Sequence, residues 1–164
     1  GNEGAVVAPT AGFHFSRELM KRMEIKGIDS AYVTLHSGLG NFRAIEVEDL
    51  TKHKMDSEQM EINEQNANLI NKTKEKENKV CIVGTTTMKA VETAAITGNR
   101  VKVYSGWSNK FIFPHYNFDI ADAMITNFHP PLSSMLMMVS AFGGYDLIME
   151  AYKHAVEKEY KFLS

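Results

Sequence analysis

Cysteine is almost absent from the sequence: its 164 residues include one, Cys81. One cysteine excludes an internal disulfide and any metal framework built on paired cysteines, and it fits the reducing environment of the cytoplasm. Cys81 lies in the apolar run VCIV. Because an unpaired cysteine behaves as a small apolar residue, we expect it to be buried in a strand.

Long apolar runs are missing as well. None approaches the roughly 20 residues that a membrane-spanning helix needs. The first residues, GNEGAVVAPTAG, lack the basic segment followed by an apolar one that marks a signal peptide. They also begin abruptly on small, loop-like residues, as a piece of a longer chain would. We therefore expect a cytoplasmic protein with no membrane partner.

Neither sign of charge dominates, since the formal net charge is −2. No overall positive field therefore indicates a nucleic-acid partner, although a local basic patch fits the same total. What the chain does contain is 44% hydrophobic and 23% charged residues. That composition suits one folded domain, or part of a larger one.

The stretch KVCIVGTTTMKAVETAAITG changes its hydrophobic period within a few residues. Residues 80–83 are continuously apolar, as in a strand buried on both faces. Gly84 and three threonines form a turn, and apolar residues then recur at helical spacing until Gly98. This pattern predicts a strand, a turn and a helix.

Other segments extend the same alternation of strands and helices. We predict strands over residues 31–36, 42–47, 101–104, 110–113 and 124–126, and helices over residues 16–27, 63–78, 134–142 and 147–160. Such alternation indicates an α/β fold with a mixed, largely parallel sheet and flanking helices.

Three loops that follow predicted strands carry polar residues together with glycine or proline. They are TLHSGLGNF at residues 34–42, GTTTMKAVE at residues 84–92 and TNFHPPLSS at residues 126–134. In open α/β sheets, ligands bind beyond the carboxyl ends of the strands. We therefore expect the three loops to share one site, where the helix that follows Gly84 offers unpaired N–H groups to an anion.

Each of these loops also has a purely structural interpretation. A histidine at a strand end, such as His36 or His129, is more often a hydrogen-bonded structural residue than a catalyst. Ser133 or Ser134 is better placed as a helix cap than as a nucleophile. GTTTMK lacks the second glycine of a phosphate-binding Walker loop. The residues alone therefore name no reaction.

The segment HKMDSE is the best candidate for a metal site, because His53, Asp56 and Glu58 lie close together in sequence. An extended backbone, however, sends alternate side chains to opposite faces, and no second ligand cluster supports such a site. We therefore expect no metal.

Several motifs, in a fixed order, resemble those of one family, the S-adenosylmethionine:tRNA ribosyltransferase-isomerases of queuosine biosynthesis. The matching segments are EGAVVAPTAGFHF at 3–15, AYVTLHSGLGNFR at 31–43, HKMDSE at 53–58, VGTTTMKAVETAA at 83–95 and the stretch that begins with FIFPHY at 111. The chain differs from the usual family motifs at Asp56, Lys89 and Pro130, where the family commonly has His, Arg and Leu.

This resemblance implies an activity and a domain organisation. Family members transfer and isomerise the ribosyl part of S-adenosylmethionine onto the aminomethyl-deazaguanine wobble base of tRNA, which gives epoxyqueuosine. Residues 1–164 would then be a single domain, the C-terminal part of an α/β barrel-like larger domain. The family's N-terminal part and its inserted β-barrel domain would be absent from it.

The resemblance also implies roles for the polar residues. His14, His36 and His129 are the candidates for the base that removes a proton next to the sulfonium. The residues implied in binding S-adenosylmethionine are Thr34, Gly38, Gly40, Thr85, Thr86, Thr87, Lys89, Glu92 and Asn127. Two alternatives stay open: a module that binds S-adenosylmethionine or tRNA without catalysis, and a catalytically inactive divergent paralogue.

Overall fold

The computed structural model describes residues 5 and 7–163 of the chain. This part contains seven short strands and five α-helices. The strands are β1 (Thr34–Leu35), β2 (Glu58–Ile62), β3 (Cys81–Val83), β4 (Ala95–Ile96), β5 (Arg100–Val101), β6 (Tyr104–Ser108) and β7 (Ala123–Ile125). The helices are α1 (Arg17–Ile25), α2 (Glu64–Glu75), α3 (Thr85–Ala94), α4 (Ser134–Gly143) and α5 (Tyr145–Glu157). The predicted α/β class is confirmed.

The strands form three small sheets. In the first, β2 lies between β1 and β6 and is antiparallel to both; β4 and β5 form an antiparallel hairpin; and β3 pairs with β7 in parallel. The parallel share of the described strands is thus smaller than we expected. Parallel pairing needs a crossover connection, which the chain between β3 and β7 supplies, whereas β2 meets its neighbours in the opposite direction.

Side-chain caps start three of the helices. Ser16 accepts a hydrogen bond from the Leu19 N–H at 3.1 Å, and Ser133 does the same for Leu136 at 3.1 Å. Asn63 caps α2 in the same way. These bonds satisfy N–H groups that have no partner within the helix. The capping interpretation of the Ser133–Ser134 pair is confirmed, and Ser133 is the cap.

Several predicted boundaries were wrong. Helix α3 ends at Ala94 instead of reaching Gly98, because Ala95 is extended and starts β4. Gly98, with φ of +86°, lies in the turn of the β4–β5 hairpin, where a left-handed conformation favours glycine. Within the described residues, no strand forms at 42–47 or at 110–113, where we predicted strands. Strand β2 was not predicted, because its sequence EQMEI is mostly polar.

The hydrophobic core surrounds α3. Met60 and Ile62 point inward from β2, and Met88 and Val91 pack against them from α3. Burial alternates along β2, as expected for a strand with one face in the core. Helix α3 is therefore held between the antiparallel sheet and the β3–β7 pair. No helix in the described residues is both long and apolar enough to cross a membrane.

Cys81 is exposed, so the expectation of a buried cysteine was wrong. Its neighbour Ile82 is 3% exposed and belongs to the core. Successive side chains of a strand point to opposite faces, so Ile82 faces the core while Cys81 points away from it. Strand β3 is thus buried on one face within the described residues, although its sequence is apolar throughout.

The short sheets predict self-association of the isolated chain. Within the described residues, β3 and β7 pair only with each other, which leaves the outer edges of both strands without a ladder partner. Open strand edges favour pairing with another chain. Light scattering of the isolated chain should therefore show species larger than a monomer, and a clean monomer at all concentrations would contradict this prediction.

Candidate functional site

Two of the three predicted loops meet at the carboxyl ends of β3 and β7. The Gly84 N–H, directly after β3, donates to the Ile125 carbonyl at 2.8 Å. Asn127 donates from Nδ2 to Thr10 Oγ1 at 3.1 Å, which brings the PTAG segment to the same edge. Since β3 and β7 are parallel, both loops leave the sheet on one side, as the sequence predicted for them.

The start of α3 faces this region without a side-chain cap in the described part of the chain. Gly84 stands at the cap position with φ of +90°, and a Cβ atom there would lie 3.8 Å from the Ala11 side chain. A glycine is therefore favoured by its backbone conformation. The first N–H groups of α3 are thus left for a ligand or solvent, and they carry the positive end of the helix dipole.

The third loop reaches the site through a buried ion pair. Glu58 at the start of β2 accepts a hydrogen bond from the Gly38 N–H at 3.0 Å. Its other carboxylate oxygen lies 2.5 Å from Nζ of Lys89 on α3, and both side chains are about 95% buried, with exposures of 4% and 5%. Buried charges of this kind require a partner. Glu58 therefore connects the loop around Gly38 to α3.

This loop approaches the site from the antiparallel sheet. Thr34 pairs with Glu61 of β2, and the His36 N–H extends that ladder to the Gln59 carbonyl at 2.8 Å. The expectation that all three loops follow strands of one largely parallel sheet is therefore corrected. Convergence of the loops comes from the Glu58–Lys89 pair and the packing of α3 on both sheets.

Gly40 is fitted closely against Asp56. A Cβ atom at residue 40 would lie 2.2 Å from Asp56 Oδ2 and 2.8 Å from its Cγ. At Gly38, in contrast, a Cβ atom would meet nothing within 4 Å among the described residues. A side chain at residue 40 would therefore have to displace the exposed Asp56 side chain, whereas the space beside Gly38 is open to a ligand.

A small pocket lies where these elements meet, with a volume of about 20 Å³. A space of this size holds one or two waters, or one small polar group, but not a whole nucleoside. Of the residues predicted to bind a ligand on α3, Thr85, Thr86 and Lys89 line this pocket, and Thr87 does not. The other lining residues are Met55, Glu58, Lys110, Phe111, Ile112, Ser134, Met135 and Met138.

Sequence reasoning missed most of this lining. Lys110 and Phe111 were assigned to a strand, and the methionines of α4 to packing alone. The lining residues come from several separate segments, which include the start of β2, α3, the stretch after β6, and α4, so no local spacing in the sequence links them. The FIFPHY motif beside Lys110 was the one local signal that this stretch matters.

Glu92 was predicted to bind a ligand, and the structure places its carboxylate among backbone groups. Its oxygens accept hydrogen bonds from the N–H groups of Asp119 and Ile120, both at 3.0 Å, and from the Tyr116 hydroxyl at 3.3 Å. Glu92 is 2% exposed. Burial and the charge of Glu92 both raise the pKa of Tyr116. The contacts give Glu92 a structural role in holding the segment before β7, and its ligand role stays a prediction.

His129 is the most buried of the three candidate histidines, with 5% exposure. Its Nε2 lies 3.0 Å from Thr126 Oγ1, and its Nδ1 has no hydrogen-bond partner among the residues that the structure describes. Burial lowers the pKa of His129 to about 4, so its imidazole is neutral at pH 7. His14 is exposed in the short turn Gly12–His14, and His36 is half-buried beyond β1.

The residues considered for a metal site are engaged elsewhere. The His53 ring packs against Phe111 at a centroid distance of 4.8 Å, and Asp56 lies 3.7 Å from the Arg43 guanidinium. Glu58 forms the buried pair with Lys89. In the described ranges, no group of three or more His, Cys, Asp or Glu side chains is arranged to hold a metal.

The buried ion pair predicts that the effect of replacing Lys89 on the free energy of unfolding depends on whether Glu58 is still charged. Lys89→Met removes the ammonium group that lies 2.5 Å from the buried Glu58 carboxylate, so we expect the free energy of unfolding to fall by about 3–5 kcal/mol. The double variant Lys89→Met/Glu58→Gln should recover most of that loss in urea unfolding. Lys21→Met is the control, because Lys21 and Glu24 form an exposed pair worth at most about 1 kcal/mol. A loss at Lys89 no larger than that of the control would contradict the prediction.

The lowered pKa of His129 predicts a loss of stability in acid. Between its ordinary value of 6.5 and about 4, His129 is protonated in the unfolded chain but not in the folded one. The unfolded state binds more protons there, so the free energy of unfolding decreases as the pH falls through this range. His129→Gln should remove this part of the pH dependence, and His154→Gln, on the exposed side of α5, should leave it unchanged. Identical pH profiles for His129→Gln and the unsubstituted chain would contradict the assignment.

Comparison with known proteins agrees with the motifs. The sequence profile described as queuosine biosynthesis protein matches residues 1–164. The S-adenosylmethionine:tRNA ribosyltransferase-isomerase of Phocaeicola vulgatus is 62% identical over 161 residues, which cover 98% of this chain and 46% of that protein. The protein of the same name from Flavobacterium psychrophilum is 55% identical over 162 residues, covering 99% of this chain and 46% of that protein.

A solved structure extends this agreement to the fold. The crystal structure of the S-adenosylmethionine tRNA ribosyltransferase from Thermotoga maritima matches with a TM-score of 0.76 at 36% identity, covering 94% of this chain and 48% of that one. The chain thus spans about half the length of the curated relatives that it matches. The resemblance seen in the motifs is confirmed over the whole sequence, and the chain belongs to the queuosine biosynthesis protein family.

Proposed function

We propose that the protein to which this chain belongs transfers and isomerises the ribosyl part of S-adenosylmethionine onto a tRNA base, giving epoxyqueuosine, and that this chain supplies part of the active site. The observation that carries the proposal is the convergence of the PTAG, GTTT and TNFH motifs at the ends of β3 and β7. The relatives named for this activity support it, because they match 98% or 99% of the chain.

The start of α3 is suited to the carboxylate of S-adenosylmethionine. Its N–H groups have no side-chain cap in the described residues, and the hydroxyls of Thr85 and Thr86 line the adjoining pocket. Helix N-termini and hydroxyl donors both favour a negative group. Lys110, another lining residue whose ammonium group donates to the Tyr116 hydroxyl, adds a positive charge. The small volume of the pocket fits one such group, so the nucleoside itself would extend beyond it.

Lys89 has a different part in this arrangement from the one that its motif suggests. Its ammonium group is paired with Glu58, so its charge is already balanced within the protein. A lysine offers one point charge where the family's arginine offers a planar fork. In this chain, Lys89 therefore supports the position of the Gly38 loop, and the neutral donors at the start of α3 are left to bind the carboxylate.

Of the three histidines, we assign the role of base to His129, which lies in the loop that follows β7. Its imidazole is neutral at pH 7, and Nδ1 has no partner among the described residues while Nε2 meets Thr126. A neutral imidazole has one unprotonated ring nitrogen, and once substrate binding gives that nitrogen access it receives the proton that must leave the carbon beside the sulfonium. His14 and His36 stay alternatives, because each lies in a motif segment close to this region.

A tRNA partner and a cytoplasmic location are parts of the same proposal. The deazaguanine base of the tRNA receives the ribosyl group through its aminomethyl nitrogen, and adenine and methionine are released. The two alternatives differ from this in testable ways. A binding module would take up S-adenosylmethionine without releasing adenine, and an inactive paralogue would do neither.

The test uses the full-length protein and a tRNA that carries the aminomethyl-deazaguanine base. We expect adenine release that depends on both substrates. His129→Gln keeps an amide near the position of Nε2 but removes the basic nitrogen, so kcat should fall about 100-fold or more while KM for S-adenosylmethionine changes little. His154→Gln is the matched control and should retain full activity.

The outcomes separate the hypotheses. Calorimetric binding of S-adenosylmethionine without adenine release would support the binding module. No binding by the full-length protein would contradict the proposed site altogether. Unchanged turnover in His129→Gln would show that His129 is not the base and would leave His14 and His36 as the candidates.

A further inference from the structure

The peptide group between Phe128 and His129 is held at both of its polar atoms by the C-terminal part of the chain. Its N–H, from His129, donates to the Tyr152 hydroxyl on α5 at 2.9 Å. Its carbonyl, from Phe128, accepts from the Leu163 N–H at 3.0 Å. These two bonds join residues 23 and 35 positions apart in the sequence. The plane of this one peptide is therefore set by distant residues.

An aromatic cluster surrounds the same peptide. The Phe128 ring packs edge-on against Tyr152 at a centroid distance of 5.1 Å, and it also contacts Tyr160 at 5.7 Å and Phe162 at 5.8 Å. Phe162 closes the cluster by contacting Tyr152 at 6.0 Å. Residues 160–163, which we call the C-terminal tail, thus cover Phe128 with apolar rings. Such pairs add specific geometry to simple burial.

The imidazole of His129 is buried but makes only one side-chain hydrogen bond among the described residues. Its Nε2 meets Thr126, which belongs to the same loop, and its Nδ1 has no partner among the described residues. A bond within the loop moves when the loop moves. The position of the ring relative to β3 and α3 is therefore set by the groups that bury it and by its backbone, and the backbone is held by Tyr152 and Leu163.

We propose that Tyr152 and the C-terminal tail are positioning elements that hold the His129 imidazole at the strand ends. Tyr152 does so through one hydrogen bond, and the tail through its bond to the Phe128 carbonyl and its ring contacts. The consequence for turnover rests on the proposed function, whereas the effect on the position of the imidazole does not. A shift of about 1 Å in a reacting group can lower a rate about 100-fold.

The first experiment measures the imidazole itself, in the ¹⁵N-labelled chain at neutral pH. Long-range ¹H–¹⁵N spectra report which ring nitrogen carries the proton, and loss of one signal set in His129→Gln identifies His129. In the unsubstituted chain we expect one fixed tautomer. In Tyr152→Phe, which keeps the ring and removes the hydroxyl, we expect the His129 shifts to move toward those of the exposed His14 and His154.

Two further variants complete the comparison. Phe162→Ala removes a ring of the tail at a residue that is 36% exposed, so the chain should still fold. We expect it to move the His129 signals in the same direction as Tyr152→Phe. Tyr145→Phe, at a tyrosine that is 62% exposed on the same helix, is the matched control and should leave them in place.

The second experiment uses the full-length protein. Tyr152→Phe should lower kcat at least about tenfold and change KM for S-adenosylmethionine by less than about twofold, because positioning affects the chemical step more than binding. Tyr145→Phe should behave as the unsubstituted protein.

Unchanged His129 signals in both Tyr152→Phe and Phe162→Ala, with only a lower unfolding temperature, would overturn the proposal. If Tyr152→Phe does not fold, the test rests on Phe162→Ala, and unchanged His129 signals in that variant would overturn the proposal. A full-length protein that releases no adenine would contradict the proposed function, while the spectra would still decide whether Tyr152 and the tail position His129.

Discussion

The buried ion pair between Lys89 and Glu58 connects three parts of the chain that are far apart in sequence. Lys89 belongs to α3, Glu58 begins β2, and the second oxygen of Glu58 holds the loop at Gly38. Removing two charges from water costs several kcal/mol for each ion, so this arrangement persists only while both partners are in place. The antiparallel sheet, the central helix and the glycine loop are thereby tied to one another.

Around this pair, the ends of β3 and β7 present backbone groups and uncharged side chains. The start of α3 lacks a side-chain cap in the described residues, and the loop after β7 carries a histidine that burial keeps neutral. A positive helix end and an uncharged imidazole can lie close together without repelling each other. In the function that we propose, this combination meets a substrate with its own carboxylate and its own positive sulfonium, S-adenosylmethionine.

Local patterns in the sequence predicted the features that depend on neighbouring residues. The cap at Ser16, a cap at Ser133 or Ser134, and a strand followed by a helix around Gly84 were predicted correctly, since each rests on a few adjacent side chains. The predicted turn of Gly84 and three threonines was too long, because α3 already begins at Thr85. The extent of α3 was overestimated, because pairing between β4 and β5 outweighs helix propensity after Ala94. Strand β2 was missed, because only its inward-facing residues are apolar and its first buried residue is the charged Glu58.

The sequence by itself determined the family, the α/β class and the two loops at the carboxyl ends of β3 and β7, because ordered motifs and hydrophobic periods are local properties. Tertiary structure alone decided that Cys81 is exposed, that Glu58 pairs with Lys89, that Glu92 binds backbone N–H groups, and that Tyr152 and Leu163 hold the peptide before His129. The physical reason is the same in each case. A buried polar or charged group must find a partner, and which distant residue supplies that partner depends on how the whole chain packs.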